Sequence, residues 1–164
     1  INMAYIRTKK IGKNKYAYLV EIVSTDKGPR QKVKQYLGRI HELKKNNEIS
    51  EIREGNSKES ILLNLIIPEL KSRGFKDKKN NLVYKNFIFN SEKITLTKKS
   101  KNKTNKEAVI SSEEGYLSTF TFQRILNFQK TKNLNQDAHQ LAKYFLEAGL
   151  QINQELFVKF YQKL

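Results

Sequence analysis

Cations and tyrosines are concentrated in the amino-terminal quarter of this chain. The first forty residues hold ten Lys or Arg against two acidic residues, a net +8 that is half of the chain's formal +16. Arg and Lys donate charge-assisted hydrogen bonds to phosphate oxygens, and Tyr rings offer flat surfaces on which bases stack. This combination favours a polyphosphate chain over a small substrate as the ligand. The candidate nucleic-acid-binding residues are Tyr5, Arg7, Lys9, Lys10, Lys13, Lys15, Tyr16, Tyr18, Arg30, Lys32, Lys34, Tyr36 and Arg39.

The same segment carries the pattern of three short strands. Residues 4–10 alternate between apolar and polar side chains, residues 16–23 are rich in aromatic and β-branched types, and residues 25–28 form an Asp/Gly turn signal. A third alternating run ends at Gly38. We therefore predict a three-stranded antiparallel meander with one open face. By simple alternation that face carries Tyr5, Arg7 and Lys9 from the first strand and Arg30, Lys32, Lys34 and Tyr36 from the third.

The remainder of the chain predicts an α+β protein in which a central helix with short strands is followed by carboxy-terminal helices. Ser57 is the expected N-cap of the central helix, in which Pro68 should introduce a kink or a break. Short strands are expected at 82–89 and 93–97, and a Lys-rich mobile loop at 98–106. Ser118, Asn135 and Asn153 are the expected N-caps of three later helices. The predicted organisation is a basic β-meander at 1–40, a connector at 41–56 and a mixed, then helical, region at 57–164.

The residue types that catalysis and metal binding require are sparse. The chain has no Cys and two His, and its three aspartates are widely separated. Asp26 lies in a predicted turn, Asp77 in a Lys-rich loop and Asp137 in the first turn of a helix, where a carboxylate favours the helix dipole. The adjacent pair Glu113 and Glu114 cannot share one face of an extended segment. We expect no enzymatic activity, no metal site and no cofactor.

The longest apolar run, residues 61–67, is interrupted by Asn64 and is far shorter than a membrane-spanning helix. The amino-terminal residues also lack the apolar core of a signal peptide. We therefore predict a cytoplasmic protein that does not bind membranes.

Residues 3–40 also resemble a known segment. The stretch MAYIRTKKIGKNKYAYLVEIVSTDKGPRQKVKQYLGRI is similar to the opening segment of a group of insertion-sequence transposases and to small basic archaeal proteins of undefined role. In the transposases this segment precedes a large DDE catalytic domain, for which residues beyond 40 offer neither the room nor the carboxylate spacing. The resemblance thus implies DNA contact without catalysis, by Arg7, Lys9, Arg30, Lys32 and Arg39.

Two alternatives stay open at this stage. The first is an RNA- or ribonucleoprotein-associated adaptor whose helical end binds a protein partner or a second copy of the chain, through aromatic residues such as Phe157, Phe160 and Tyr161. The second is a helix-turn-helix reader formed by residues 136–148 and 153–163. Because the second of these helices is mostly apolar, a hairpin that forms core or binds a partner is favoured over a groove reader.

Overall fold

The computed structural model describes residues 4–46 and 55–164, which form nine strands and four helices. The strands are β1 Tyr5–Ile11, β2 Asn14–Thr25, β3 Gly28–Glu42, β4 Lys76–Lys78, β5 Asn81–Tyr84, β6 Phe87–Asn90, β7 Thr95–Lys99, β8 Asn105–Ser111 and β9 Tyr116–Leu117. The helices are α1 Lys58–Ser72, α2 Thr119–Leu126, α3 Leu134–Glu147 and α4 Gln154–Gln162. The α+β class and the antiparallel β1–β3 meander are confirmed.

The meander is one end of a nine-stranded sheet, which extends beyond the three strands that were predicted to form it. The strand order is β1-β2-β3-β8-β7-β6-β5-β4, with β9 paired to β8. The β3 strand does not end at Gly38 but continues to Glu42, and its residues 39–42 pair in parallel with residues 108–111 of β8. The boundary predicted after residue 40 therefore falls inside β3, and the predicted connector lies partly outside the described residues.

Gly38 allows β3 and β8 to approach each other. Its φ is +135°, a conformation that L side chains rarely adopt, and an added Cβ would lie 2.7 Å from the backbone oxygen of Glu107. A larger residue here would push the two strands apart at the point where the meander joins the rest of the sheet.

The sheet separates two hydrophobic cores. Ala108 and Ile110 of β8 belong to the large core, which contains α1 and the aromatic residues of the later helices. Val109, between them in sequence, belongs to a smaller core with Ala17 and Ile40. Because successive side chains of a strand point to opposite faces, the two cores lie on opposite sides of β8.

The Lys-rich segment 98–106 is the tip of a β-hairpin, and the predicted loop is confined to residues 100–104. Lys98 and Lys99 end β7, while Asn105 and Lys106 begin β8, and the two strands pair in antiparallel register. Both strands are buried nearer their other ends, at 96 and 108–110, and their pairing continues from there into the polar tip. The ends of β7 and β8 cannot be recognised in the sequence, because only the residues before and after the run of lysines show a strand pattern.

The helices follow the capping signals of the sequence closely. Capping boxes form at Ser57 and Ser118, and Asn153 caps α4, as predicted. The predicted cap at Asn135 is wrong, since α3 starts one residue after Asn133, whose side chain accepts from Gln136 N at 3.1 Å. Pro68 does not break α1, which extends to Ser72 with buried residues on both sides of the proline.

The predicted strand at 82–89 is a hairpin of β5 and β6, and the one at 93–97 is β7, which begins at Thr95.

The aromatic residues of the last helix face inward. Phe160 is fully buried, with its ring centroid 5.2 Å from that of Phe145, and Phe157 and Tyr161 pack against the same core. Most of the apolar side of α4 is thus used within the fold. In the described part of the chain, no helix combines the length and hydrophobicity that crossing a bilayer requires.

Candidate nucleic-acid interface

Strand register places the exposed tyrosines of the meander on one face. Tyr18 lies opposite Arg7 on β1 and opposite Tyr36 on β3, while Tyr16 lies opposite Lys9 and Arg39. Directly opposed residues of paired strands share a face. We call this side the tyrosine face; of the candidate residues it carries Tyr5, Arg7, Lys9, Tyr16, Tyr18, Tyr36 and Arg39.

Three rings on this face form a contiguous aromatic surface. The Tyr36 ring centroid lies 5.2 Å from that of Tyr18 and 6.3 Å from that of Tyr16, at tilted angles. Tyr36 is nevertheless 52% exposed. Partial burial, followed by the neighbouring Tyr18 and Tyr16, raises the pKa of the Tyr36 hydroxyl.

The predicted shared face of β3 is wrong, because two register shifts interrupt the alternation. Leu19 pairs with Gln35 but the next residue, Val20, pairs with Val33, so Lys34 is an extra residue in β3. A second shift occurs at Leu37. Each bulge changes the face of every residue beyond it. Only the bulge at Lys34 lies between these residues and Tyr36, so Arg30 and Lys32 are on the side opposite to Tyr36.

The other candidate cations also lie away from the tyrosine face. Lys10 and Lys15 are on the opposite side, Lys13 is in the β1–β2 turn, and Lys34 is at the bulge. Two of them are paired with carboxylates, Lys15 with Glu42 at 3.6 Å and Lys34 with Glu21 at 3.2 Å.

The side opposite to the tyrosine face is covered by the protein itself around Ala17 and Leu19, whereas its cations Lys10, Lys15, Arg30 and Lys32 are exposed. The Thr8 hydroxyl hydrogen-bonds the Tyr116 hydroxyl at 2.9 Å, and Ala17 and Leu19 are buried in the smaller core, against which Phe120 packs. Exposed cations thus occur on both sides of the meander, and the tyrosine face differs in carrying all four candidate tyrosines.

A cleft of about 860 Å³ lies between the tyrosine face and the β7–β8 hairpin. We call it the tyrosine–lysine cleft. Its wall from the meander includes Tyr16, Tyr36, Arg39 and His41, and its wall from the hairpin includes Lys98, Lys99, Lys101, Lys106 and Glu107. The described residues that line the cleft thus include five cations and one carboxylate.

Sequence reasoning missed the hairpin side of this cleft and His41. Lys98 and Lys106 are cross-strand partners, and Lys98 is in turn opposite Phe87, so these three side chains share a face. The Lys98 ammonium lies 5.1 Å from the centre of the Phe87 ring. The available signal was the run of lysines between two segments with strand character, which places cations at the tip of a hairpin.

The charged form of His41 is disfavoured in the cleft, first by burial and then by the nearby cations. The side chain is half-buried, with its ring edge-on to that of Phe87 at 5.0 Å. Burial, together with the charges of Lys98 and Arg39, lowers the pKa of His41 from 6.5 to about 4. The imidazole is therefore neutral at pH 7, in a field that disfavours another positive charge and favours an anion.

This lowered pKa predicts an acid-dependent loss of stability. Below pH 6.5 the unfolded chain protonates His41 whereas the native chain does not, so native stability falls as the pH drops from about 6.5 to 4. Because the side chain is half-buried, solvent screening limits this contribution to about 1–2 kcal/mol. Urea unfolding at pH 7 and pH 4.5 should show a smaller loss for His41→Gln than for the wild type. An equal loss in both proteins would contradict the assignment.

The acidic residues considered for catalysis do not converge. Asp137 accepts from the backbone N and Oγ1 of Thr131, both at 2.7 Å, and from the Tyr161 hydroxyl at 3.3 Å. The Thr131 bonds are the main reason that the pKa of Asp137 is lowered. Asp77 pairs with Lys71 at 2.8 Å. Within residues 4–46 and 55–164, no three His, Cys, Asp or Glu side chains are grouped to hold a metal ion.

Comparison with protein-family models, with curated proteins and with solved structures gives no match for this chain.

Proposed function

We propose that this chain is a non-catalytic nucleic-acid-binding protein. Its cations hold phosphate oxygens along the tyrosine face and in the tyrosine–lysine cleft, and its exposed rings pack on bases or sugars. The observation that carries the proposal is the position of Tyr36, which lies beside Arg39 on β3 and faces a cleft whose other wall contains Lys98 and Lys106. Cationic grooves lined with aromatic rings are the usual means of binding nucleic acid strands.

The cations of the cleft are better explained by binding of an anionic ligand than by stabilisation of the fold. Arg39, Lys98 and Lys106 form no ion pair with any described residue, whereas several cations elsewhere are paired. Lys98 and Lys106 are also directly opposite each other, and like charges in that position destabilise a sheet. A phosphate bound between them would convert this repulsion into attraction.

Protection of a sheet edge is the competing explanation for exposed lysines. It fits Lys9 and Lys10 on the edge strand β1, but it does not fit Lys98, which is paired on both sides, with Phe87 and with Lys106. It also gives no role to the exposed ring of Tyr36. DNA is favoured over RNA by the resemblance of residues 3–40 to transposase amino-terminal segments.

The salt dependence of binding tests this function. The wild-type protein is titrated into a fluorescent single-stranded DNA of about 16 nucleotides and its matched duplex, at salt concentrations from about 50 to 200 mM. With three or more phosphate contacts, the plot of log affinity against log salt should have a slope steeper than about −2. A slope near zero, or no binding at the lowest salt concentration, would refute the proposal.

A further inference from the structure

Resting on the proposed function, we infer that the tyrosine–lysine cleft takes an unpaired nucleotide. One base packs on the exposed ring of Tyr36, and the flanking phosphates lie against Arg39, Lys98 and Lys106. The ligand class is therefore single-stranded or locally unpaired nucleic acid, in preference to an intact duplex.

The position of the Tyr36 ring is the first reason. One part of the ring is held by Tyr16 and Tyr18, and the exposed remainder lines the cleft. In a continuous duplex the faces of each base are covered by the bases above and below it. A ring on the wall of a cleft can pack on a base only if that base leaves the stack, as bases do in single strands, loops and bulges.

The dimensions of the site are the second reason. A volume of about 860 Å³ lies within the range of roughly 300–1,000 Å³ that is typical of sites for small molecules and cofactors. The walls are β3 and the β7–β8 hairpin, which are joined through β8. The cleft therefore offers room for one or a few nucleotides, whereas a duplex would have to remain outside it.

The placement of charge is the third reason. The cross-strand pair Lys98 and Lys106 occupies one wall and Arg39 the other, so cations line both walls of the cleft. The neutral His41 imidazole beside Phe87 adds an aromatic surface without adding charge. A nucleotide has the matching arrangement, with a flat uncharged base and anionic phosphates on either side of its sugar.

The test compares matched DNA probes and Tyr36 variants at one salt concentration. The probes are a single strand, its perfect duplex, and the same duplex with one bulged nucleotide. The wild type should bind the single strand at least about tenfold more tightly than the perfect duplex, with the bulged duplex between them. Tyr36→Ala should weaken single-strand binding by about tenfold and thereby reduce the preference for the single strand over the duplex, whereas Tyr36→Phe should retain wild-type affinity.

Each result has a distinct meaning. Equal binding of single strand and duplex, or no loss in Tyr36→Ala, would overturn this inference while salt-dependent binding still supported the proposed function. Failure of every probe to bind at low salt would overturn the proposed function itself. Thermal unfolding of each variant verifies that it is folded under the assay conditions. Tyr36→Leu, which keeps apolar volume without an aromatic face, should reproduce the loss seen with alanine.

Discussion

Replacement of Lys98 and Lys106 together by glutamine is expected to weaken nucleic-acid binding by about 100-fold at low salt. Each substitution removes one charge-assisted contact with phosphate, which corresponds to about 1.4 kcal/mol, or tenfold. Fewer neutralised phosphates release fewer counterions, so the slope of log affinity against log salt should become shallower by about 1.4 for a single strand. Fluorescence anisotropy at several salt concentrations measures both effects.

The chain offers a matched control for this experiment. Lys76 and Lys78 are exposed residues of β4, the last strand of the sheet order, and they do not line the cleft. Their replacement by glutamine changes the net charge by the same amount and should reduce affinity less than threefold or so. If both double variants lose the same affinity, binding depends on overall charge and the cleft is not the site. Urea unfolding of the two proteins verifies that their folds are intact.

Replacement of Glu69 by glutamine is expected to destabilise the fold by about 3–5 kcal/mol. Glu69 lies in the last turns of α1 and forms an almost fully buried ion pair with Arg73. Loss of the carboxylate would leave the guanidinium buried without its counter-charge, and removal of one partner of a buried pair is far more costly than removal of an exposed one. Total stabilities of about 5–15 kcal/mol are typical of proteins, so this loss is a large fraction.

Lys45 provides the comparison for Glu69. Its ammonium is 3.3 Å from the same carboxylate, but its side chain is 40% exposed. Lys45→Gln should therefore cost less than about 1 kcal/mol. Urea unfolding followed by circular dichroism distinguishes the two variants. A similar small loss in both would mean that the Arg73 charge is solvated after all.

The local elements of this fold follow from sequence, whereas the faces of β3 do not. Alternation and turn residues give the three strands of the meander, and Ser57, Ser118 and Asn153 give three of the helix starts. Gly38 marks the bulge at Leu37, since a glycine within a strand often accompanies a bulge, but Lys34 carries no recognisable signal, and its bulge reverses the side on which Arg30 and Lys32 lie. A prediction based on strict alternation therefore places Arg30 and Lys32 with Tyr36, although they are on the opposite side.

The candidate site was only half visible in the sequence for a related reason. Tyr16, Tyr36 and Arg39 stand out by type and spacing within one short segment. Their neighbours across the cleft, Lys98 and Lys106, depend on a parallel pairing between β3 and β8, which are far apart in the chain. No local pattern encodes that pairing, because it arises when two buried strands are brought together by the cores on either side.

The cleft forms only once β3 and β8 have paired in parallel beside Gly38. The β1–β3 hairpins contain only near-neighbour contacts, which close at a low entropic cost, whereas this parallel pairing closes a long loop and brings the second wall into place. The amino-terminal forty residues alone would thus form a β-ribbon that supplies one wall of the cleft without the other. The site is a product of tertiary assembly, and a segment that resembles this one in another protein has the same site only where an equivalent of β8 and its hairpin stands beside it.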